Sequence, residues 1–242
     1  MKPLKSVFLM LFLTFCLQGQ SQILLSLIFG DKLNSDGLEF GLEGGFNFSD
    51  INTLEANRRL ASLNLGFYFD FRLKNQWNIY TGVLVKARLG DDRLSENDLA
   101  FLGITPKQEN GDYTQRISYF VVPVLLKYNF KNRIYLEAGP QFGLMYDAFV
   151  EFNADNSSTE TRIRDFNKDN INKIDTGLTI GTGYKLRATD GMTIGIKYYH
   201  GLTNVYKNVS GTNNNSIFLK LNIPIGANKA KKSKDKSEGV TK

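Results

Sequence analysis

The sequence predicts an all-β fold, an eight-stranded antiparallel up-and-down transmembrane β-barrel of the outer-membrane type with a plugged polar lumen. Apolar and polar residues alternate with a period of two through eight segments, as in strands with one apolar and one polar face. Short turns alternate with long polar connections between these segments. Beyond residue 22 no apolar run approaches the roughly 18 residues of a spanning helix, so strands are favoured as the spanning elements.

The eight strands are predicted in chain order from the parity of their apolar residues. The apolar set is even-numbered in 38–48, odd-numbered in 63–73 and 77–89, and even-numbered from Phe120 to the end of 117–130. It is even-numbered again in 133–150, 173–187 and 192–203, and odd-numbered in 216–226. Each segment is long enough to cross a membrane as a tilted strand, which needs about 9 to 11 residues.

The connections divide into two kinds. The turns at 74–76, 131–132 and 188–191 are short and rich in turn-forming residues. The connections at 49–60, 90–116, 151–172 and 204–215 are longer and more polar. In outer-membrane barrels short turns face the periplasm and long loops face outside, so both chain termini are expected in the periplasm.

Alternation alone does not distinguish a soluble barrel with an apolar interior from a membrane barrel with an apolar exterior. Aromatic residues near both ends of the strands favour the membrane, because they form girdles at the two interfaces. The predicted interfacial aromatics on the short-turn side are Trp77, Tyr128, Phe130 and Tyr184. Those on the long-loop side are Tyr146 and Tyr198, accompanied by Phe46 and Phe48.

The polar face predicts a closed lumen. It is rich in glycine, which suits a narrow interior, and it carries charges of both signs. Buried charges must pair, so a salt-bridge network is expected there, without an open channel. Its predicted members are Glu39, Glu43, Asp70, Arg72, Lys86, Arg88, Lys127, Glu137, Asp147, Asp175, Lys185 and Lys197.

The net charge of +6 lies at the ends of the chain. The predicted domains are a signal peptide at 1–21, an N-terminal segment at 22–37 with a possible short periplasmic helix, the barrel at 38–226 and a Lys-rich disordered tail at 227–242. An uncharged stretch at 6–30 leaves an uncleaved anchor as the alternative to a signal peptide. The segment 22–226 has 22 basic and 22 acidic residues, so no basic groove for nucleic acid is expected.

The sequence offers no convincing catalytic, cofactor or metal site. His200 is the only histidine, and its parity points it toward lipid rather than toward a serine and an acid. Asp165, Asn167 and Asp169 have the opening spacing of a calcium loop, but Asn170 replaces the glycine that such a loop needs. Cys16 is the only cysteine and lies in the predicted signal peptide, which excludes disulfide scaffolds.

Several segments resemble the PorT-like family of bacterial outer-membrane β-barrels. The resemblance is carried by 38–49 (LEFGLEGGFNFS), 122–128 (VPVLLKY), 135–143 (YLEAGPQFG), 181–184 (GTGY) and 198–204 (YYHGLTN). It implies an outer-membrane barrel of a Gram-negative bacterium, and the protein that names the family is associated with type IX secretion. It brings no catalytic residues.

We therefore expect a non-enzymatic outer-membrane barrel with a structural or partner-binding role through its extracellular loops, linked to protein secretion by the resemblance. The expected partners are outer-membrane lipid and a protein at loops 90–116 and 151–172, since 90–116 carries a cluster of apolar residues. A small passive or gated pore is the main alternative. A membrane hydrolase that uses His200 is a further one.

Overall fold

A computed structural model describes residues 37–156, 159–186 and 191–225. The predicted signal peptide, nearly all of the N-terminal segment and the Lys-rich tail lie outside the described residues, as does most of the turn predicted at 188–191. The predicted boundaries of those segments therefore stay predictions.

The described chain forms nine strands and one short α-helix. The strands are β1 (Leu38–Ile51), β2 (Arg58–Arg72), β3 (Trp77–Asp92), β4 (Asp112–Asn129), β5 (Ile134–Asn156), β6 (Thr159–Phe166), β7 (Ile174–Lys185), β8 (Thr193–Asn204) and β9 (Asn213–Pro224). The helix α1 spans Glu96–Phe101, and a 3-10 turn spans Lys168–Asn170. Within the described ranges, no helix has the length and apolar character needed to cross a membrane.

Eight of the strands close into a ring. Every neighbouring pair is antiparallel, and β1 pairs with both β2 and β9, so the first and last strands seal the barrel. The predicted eight-stranded up-and-down barrel is therefore confirmed. The ninth strand, β6, pairs only with the far end of β5 and adds a hairpin to the rim of the ring.

The strands on one side of the ring extend further toward the long-loop end than the alternation predicted. β4 has 18 residues and β5 has 23, whereas β7, β8 and β9 have 12 each. Strand β6 and helix α1 lie in segments predicted to be loops, 151–172 and 90–116. The period of two is absent there because β6 is exposed on both faces, at Arg162, Ile163 and Arg164 alike, and because α1 is a helix of only six residues.

The outer face of the ring is apolar. Each of the eight ring strands presents large apolar side chains to the exterior, among them Phe46, Leu63, Ile79, Leu126, Leu136, Ile180, Ile196 and Leu221. A continuous exposed apolar band of this kind is unfavourable in water and is the lipid-facing surface of a membrane barrel.

Glycines on the inner face make room for tyrosine rings. A Cβ atom added to Gly183 would overlap the Tyr135 hydroxyl, and one added to Gly41 would lie 2.5 Å from Cε1 of Tyr68. The glycines of one strand thus leave space for the tyrosine rings of its neighbours, and these rings fill the narrow interior.

We expect Gly183→Val to destabilise the barrel by about 1–3 kcal/mol, because the added side chain must displace the Tyr135 ring. The matched control is Gly44→Val, since a Cβ at Gly44 meets no atom closer than 3.9 Å. Urea unfolding in detergent measures both free energies. Equal stability of the two variants would contradict the packing role assigned to Gly183.

Candidate functional site

Ion pairs fill the middle of the lumen. Three lysines pair with three carboxylates contributed by other strands, and all six side chains are at most 4% exposed. The N–O distances are 2.6 Å for Lys127–Asp70, 2.8 Å for Lys197–Glu43 and 2.5 Å for Lys220–Glu137. Because each charge is neutralised inside the ring, the lumen holds no surplus charge at this level.

Two tyrosine rings lie among these lysines. The Lys220 Nζ lies 4.0 Å from the centroid of the Tyr80 ring, and the Lys127 Nζ lies 4.4 Å from that of Tyr135. The Tyr80 hydroxyl also donates a hydrogen bond to Glu43. Cation–π contacts add to the ion pairs, and the rings occupy the space that water would need to pass.

Toward the long-loop end of the lumen, the charged layer is followed by apolar side chains around the buried carboxylate of Asp175. Asp175 is buried without a basic partner and accepts hydrogen bonds from the Tyr199 hydroxyl at 2.9 Å, the Thr203 hydroxyl at 3.1 Å and the Asn214 amide at 3.2 Å. Around and above it lies an apolar cluster that includes Leu84, Ala87, Ile117, Tyr119, Val121 and Phe218. The barrel is thus filled by a charged layer and then by an apolar layer.

The predicted lumen network is distributed over three places. Glu43, Asp70, Lys127, Glu137, Asp175 and Lys197 are buried inside the ring. Glu39, Arg72 and Lys185 lie toward its short-turn end, where Glu39 accepts a hydrogen bond from the Tyr68 hydroxyl and the two basic residues line an open cavity. Lys86, Arg88 and Asp147 are not in the lumen.

The placement of Lys86 and Arg88 corrects the prediction from parity. A β-bulge between Leu84 and Ala87 shifts the alternation of β3 by one residue. Beyond it Ala87 and Leu89 enter the core, so Lys86 is exposed on the outer face and Arg88 alternates to the same side.

Asp147 is displaced for the same reason. Ser118 pairs with Asp147, and the next residue, Tyr119, pairs with Met145. The β-bulge between these two pairs shifts the alternation of β5. Ala148 then belongs to the core, and the half-buried Asp147 faces outward beside Ser118.

The predicted network omits Lys220, which completes the third ion pair, and the tyrosines that separate the charges. Lys220 and Tyr80 both lie on the polar side of their strand's alternation, and that position is the signal that could have placed them in the lumen.

The aromatics predicted at the interfaces lie on the outer face. Trp77 and Tyr128 are cross-strand partners with ring centroids 4.8 Å apart, and Phe130 lies 4.9 Å from Tyr128. Tyr184 is opposite Ile134 at the same end. Toward the long-loop end, Tyr146 and Tyr198 are exposed, and Tyr146 packs on Phe120 at 4.8 Å.

The long connections fold over one mouth of the barrel and form a cap, defined here as residues 52–57, 93–111, 167–173 and 205–212. The Thr53 hydroxyl donates to the Gly211 carbonyl at 3.2 Å, and the Asn172 N–H donates to the Val205 carbonyl at 2.8 Å, so the connections bond to one another. Phe101 packs on Tyr206 with ring centroids 5.3 Å apart. This end of the lumen is covered by structured chain.

Helix α1 is tied into the cap at its first turn. The Ser95 side chain accepts from the Asp98 N–H, and the Asp98 side chain accepts from the Ser95 N–H, which is a capping box. The Asp98 carboxylate also accepts from the Glu55 N–H at 2.8 Å. A six-residue helix is too short to be stable alone, so these bonds and its apolar contacts with the extended sheet hold it in place.

Strands β5 and β6 form a charged hairpin at the rim. Glu151 pairs with Arg116 at 3.1 Å and with Arg164 at 2.9 Å. Burial raises the pKa of the Glu151 carboxyl, but the hydrogen bond from Arg164 and the charge of Arg116 outweigh it and hold that pKa below its ordinary value. The hairpin is thus cross-linked to β4 by ion pairs.

The residues considered for catalysis or metal binding form no such site. The exposed His200 contacts the Asn215 side chain, with 2.7 Å between Nδ1 and Oδ1. Asp165 lies in β6 and Asp169 in the 3-10 turn. Among the described residues, no three histidine, cysteine, aspartate or glutamate side chains are grouped as metal ligands.

The sequence also matches a family described as "Outer membrane protein beta-barrel domain" over residues 20–207, more than three quarters of the chain. The chain belongs to this family. Membership places it in the outer membrane of a Gram-negative bacterium, where its apolar band contacts lipid. No curated protein sequence matches it significantly.

Solved barrels of this class resemble the chain at low identity. Ail, the attachment invasion locus protein of Yersinia pestis, solved with the heparin analogue sucrose octasulfate, is 10% identical, with a TM-score of 0.41, and the match covers 79% of this chain and 100% of Ail. Neisserial surface protein A is 8% identical, with a TM-score of 0.40, covering 78% and 99%. OprG from Pseudomonas aeruginosa is 12% identical, with a TM-score of 0.35, covering 78% and 93%.

We expect Lys197→Met to destabilise this outer-membrane barrel by about 3–5 kcal/mol, because it leaves Glu43 buried without its cation. Adding Glu43→Gln should restore much of the loss, since the uncompensated charge is then removed. Urea unfolding in phospholipid vesicles measures the three free energies.

The exposed Lys74→Met serves as the control and should change the free energy of unfolding by less than about 1 kcal/mol. A double variant no more stable than Lys197→Met alone would show that the cost does not come from an unpaired Glu43.

Proposed function

We propose that this protein is a closed, non-enzymatic outer-membrane barrel that binds a partner at its long-loop end. The observation that carries the proposal is the filled lumen, with three buried ion pairs in one layer and an apolar cluster in the next. A barrel with no free path for solutes has its accessible surface at its ends.

The hairpin β5–β6 supports partner binding at the long-loop end. Strand β6 ends the sheet and pairs only with β5, so its other edge offers backbone groups to an incoming strand. Phe166, the last residue of β6, is 71% exposed, and Phe101 in the cap is 42% exposed. An exposed aromatic at an open strand edge is suited to a protein partner.

The proposal includes the topology that the sequence suggested. A cleaved signal peptide would deliver the chain to the periplasm, and the short turns and both termini would remain there. The PorT-like resemblance adds protein secretion as the process in which the partner acts. In this orientation the cap and hairpin face the cell exterior.

We expect the full chain to show no steady conductance in planar lipid bilayers, because tyrosine rings and ion pairs fill the lumen. The variant that combines Tyr80→Ala with Tyr135→Ala removes the rings beside Lys220 and Lys127, but the apolar cluster and the cap still close the lumen, so it should not conduct either. A steady, large conductance of the unmodified chain would overturn the closed barrel and favour the pore.

We expect a photo-crosslinking residue at Phe166 or at Phe101 to capture the same partner in intact cells. A crosslinker at Asn132, in a turn at the opposite end of the barrel, is the matched control and should not capture it. Charge substitutions at exposed hairpin residues, Ile163→Asp with Phe166→Asp, should abolish capture from position 101. Equal capture from Asn132 would place the partner elsewhere.

A further inference from the structure

The short-turn end of the barrel contains an open cavity of about 540 Å³. The ends of β2 and β7, the β2–β3 turn and the β4–β5 turn form its walls. Its lining residues are Arg72, Asn75, Gln76, Asn78, Asn129, Phe130, Lys131, Arg133 and Lys185, and we call this cavity the basic mouth. Four of the nine are cations and none is an acid.

These four cations differ from the lysines of the lumen because none of them is within ion-pair distance of a described carboxylate. In the described part of the chain, the side chains of Arg72, Lys131, Arg133 and Lys185 make no ion pair or hydrogen bond. Of the nearby carboxylates, Asp70 pairs with Lys127, and Glu39 accepts a hydrogen bond from the neutral Tyr68 hydroxyl, so its charge attracts Lys185 and offsets one of the four cations. The basic mouth therefore has a surplus of positive charge.

Neutral amides lie among the cations. The Asn129 amide donates to Asn78 Oδ1 at 3.0 Å, and the Asn78 amide donates to Asp70 at 2.5 Å. This chain of amides connects the mouth to the buried Lys127–Asp70 pair. Amides are suited to peptide groups, and guanidinium and ammonium groups are suited to carboxylates.

The chain continues from this same end into further positive charge. The β9 residue Pro224 pairs with Gly41, and the Ile225 N–H donates to the Phe40 carbonyl at 2.9 Å, so β9 ends at the short-turn side. The sequence that follows, 227–242, contains six lysines and only two acids. The basic mouth lies at the end where β9 stops, and the sequence that follows β9 is rich in lysine, whereas segment 22–226 is neutral by composition.

We propose that the basic mouth binds the carboxylates of an acidic peptide segment that enters along the barrel axis. A peptide is favoured over a phospholipid headgroup because the mouth opens on the axis, while the ring of Trp77, Tyr128 and Tyr184 at this end faces the lipid outside. The proposal rests on the proposed function only for the statement that this end faces the periplasm.

The test measures binding of fluorescein-labelled hexaglutamate to the full chain in neutral detergent, with hexaglutamine as the uncharged probe. We expect hexaglutamate to bind and to weaken with added salt, and hexaglutamine not to bind. The variant Arg72→Gln, Lys131→Gln, Arg133→Gln, Lys185→Gln should bind hexaglutamate at least roughly tenfold more weakly.

The matched control replaces four lysines of the long-loop end, Lys107, Lys168, Lys173 and Lys207, by glutamine and should bind as the unmodified chain does. Heat-modifiable mobility in gels verifies that each variant is folded. Where the quadruple variant fails this check, the single Lys131→Glu in the exposed turn replaces it and should also weaken binding.

Three results would overturn the proposal. Equal affinity of the mouth variant and its matched control would show that the mouth is not the site. Complete loss on truncation after Gly226 would assign binding to the tail. Binding of monomeric dihexanoyl phosphatidylglycerol without binding of hexaglutamate would make the mouth a lipid headgroup site. None of these arms depends on bilayer conductance or on capture at Phe166, so the proposal can fail while the proposed function stands.

Discussion

The dominant constraint on this structure is the narrow interior of an eight-stranded ring. The width leaves space for side chains alone, and charges placed there are removed from water. The paired lysines and carboxylates, the cation–π contacts of Tyr80 and Tyr135, and the glycines beside the tyrosine rings all satisfy that constraint. Together they fill the space, and each ion pair neutralises the charge of its two members.

The two ends of the barrel differ in how far they are covered and in their charge. At the long-loop end, β2 to β5 extend beyond the lipid-facing band, and the connections fold into a cap with its own apolar contacts. At the short-turn end the strands stop near the aromatic girdle, and four cations that make no ion pair with a described residue surround an open cavity. The long-loop end is therefore covered by the cap and has the free edge of β6 beside it. The short-turn end is open and positively charged.

The fold was predictable because its main signal is local. Alternation of side chains across a strand depends only on the extended backbone, so the even-numbered residues of 38–48 share one face whatever the rest of the chain does. The lipid-facing aromatics and most inner charges follow from the same parity. The prediction failed at β-bulges, where one extra residue moved Lys86, Arg88 and Asp147 to the other face. It also failed at β6, which is exposed on both faces, and at α1, which is a six-residue helix, because neither segment has an alternating apolar face.

The sequence by itself determined the number of ring strands, the face each strand turns to the membrane and the confinement of net charge to the chain ends, because these depend on composition and on the period of a strand. Only the tertiary structure decided which lysine pairs with which carboxylate, that Lys220 completes the third pair, and that four distant cations meet at one mouth. Those arrangements depend on the register between strands and on ring closure, which join residues as far apart as Glu43 and Lys197.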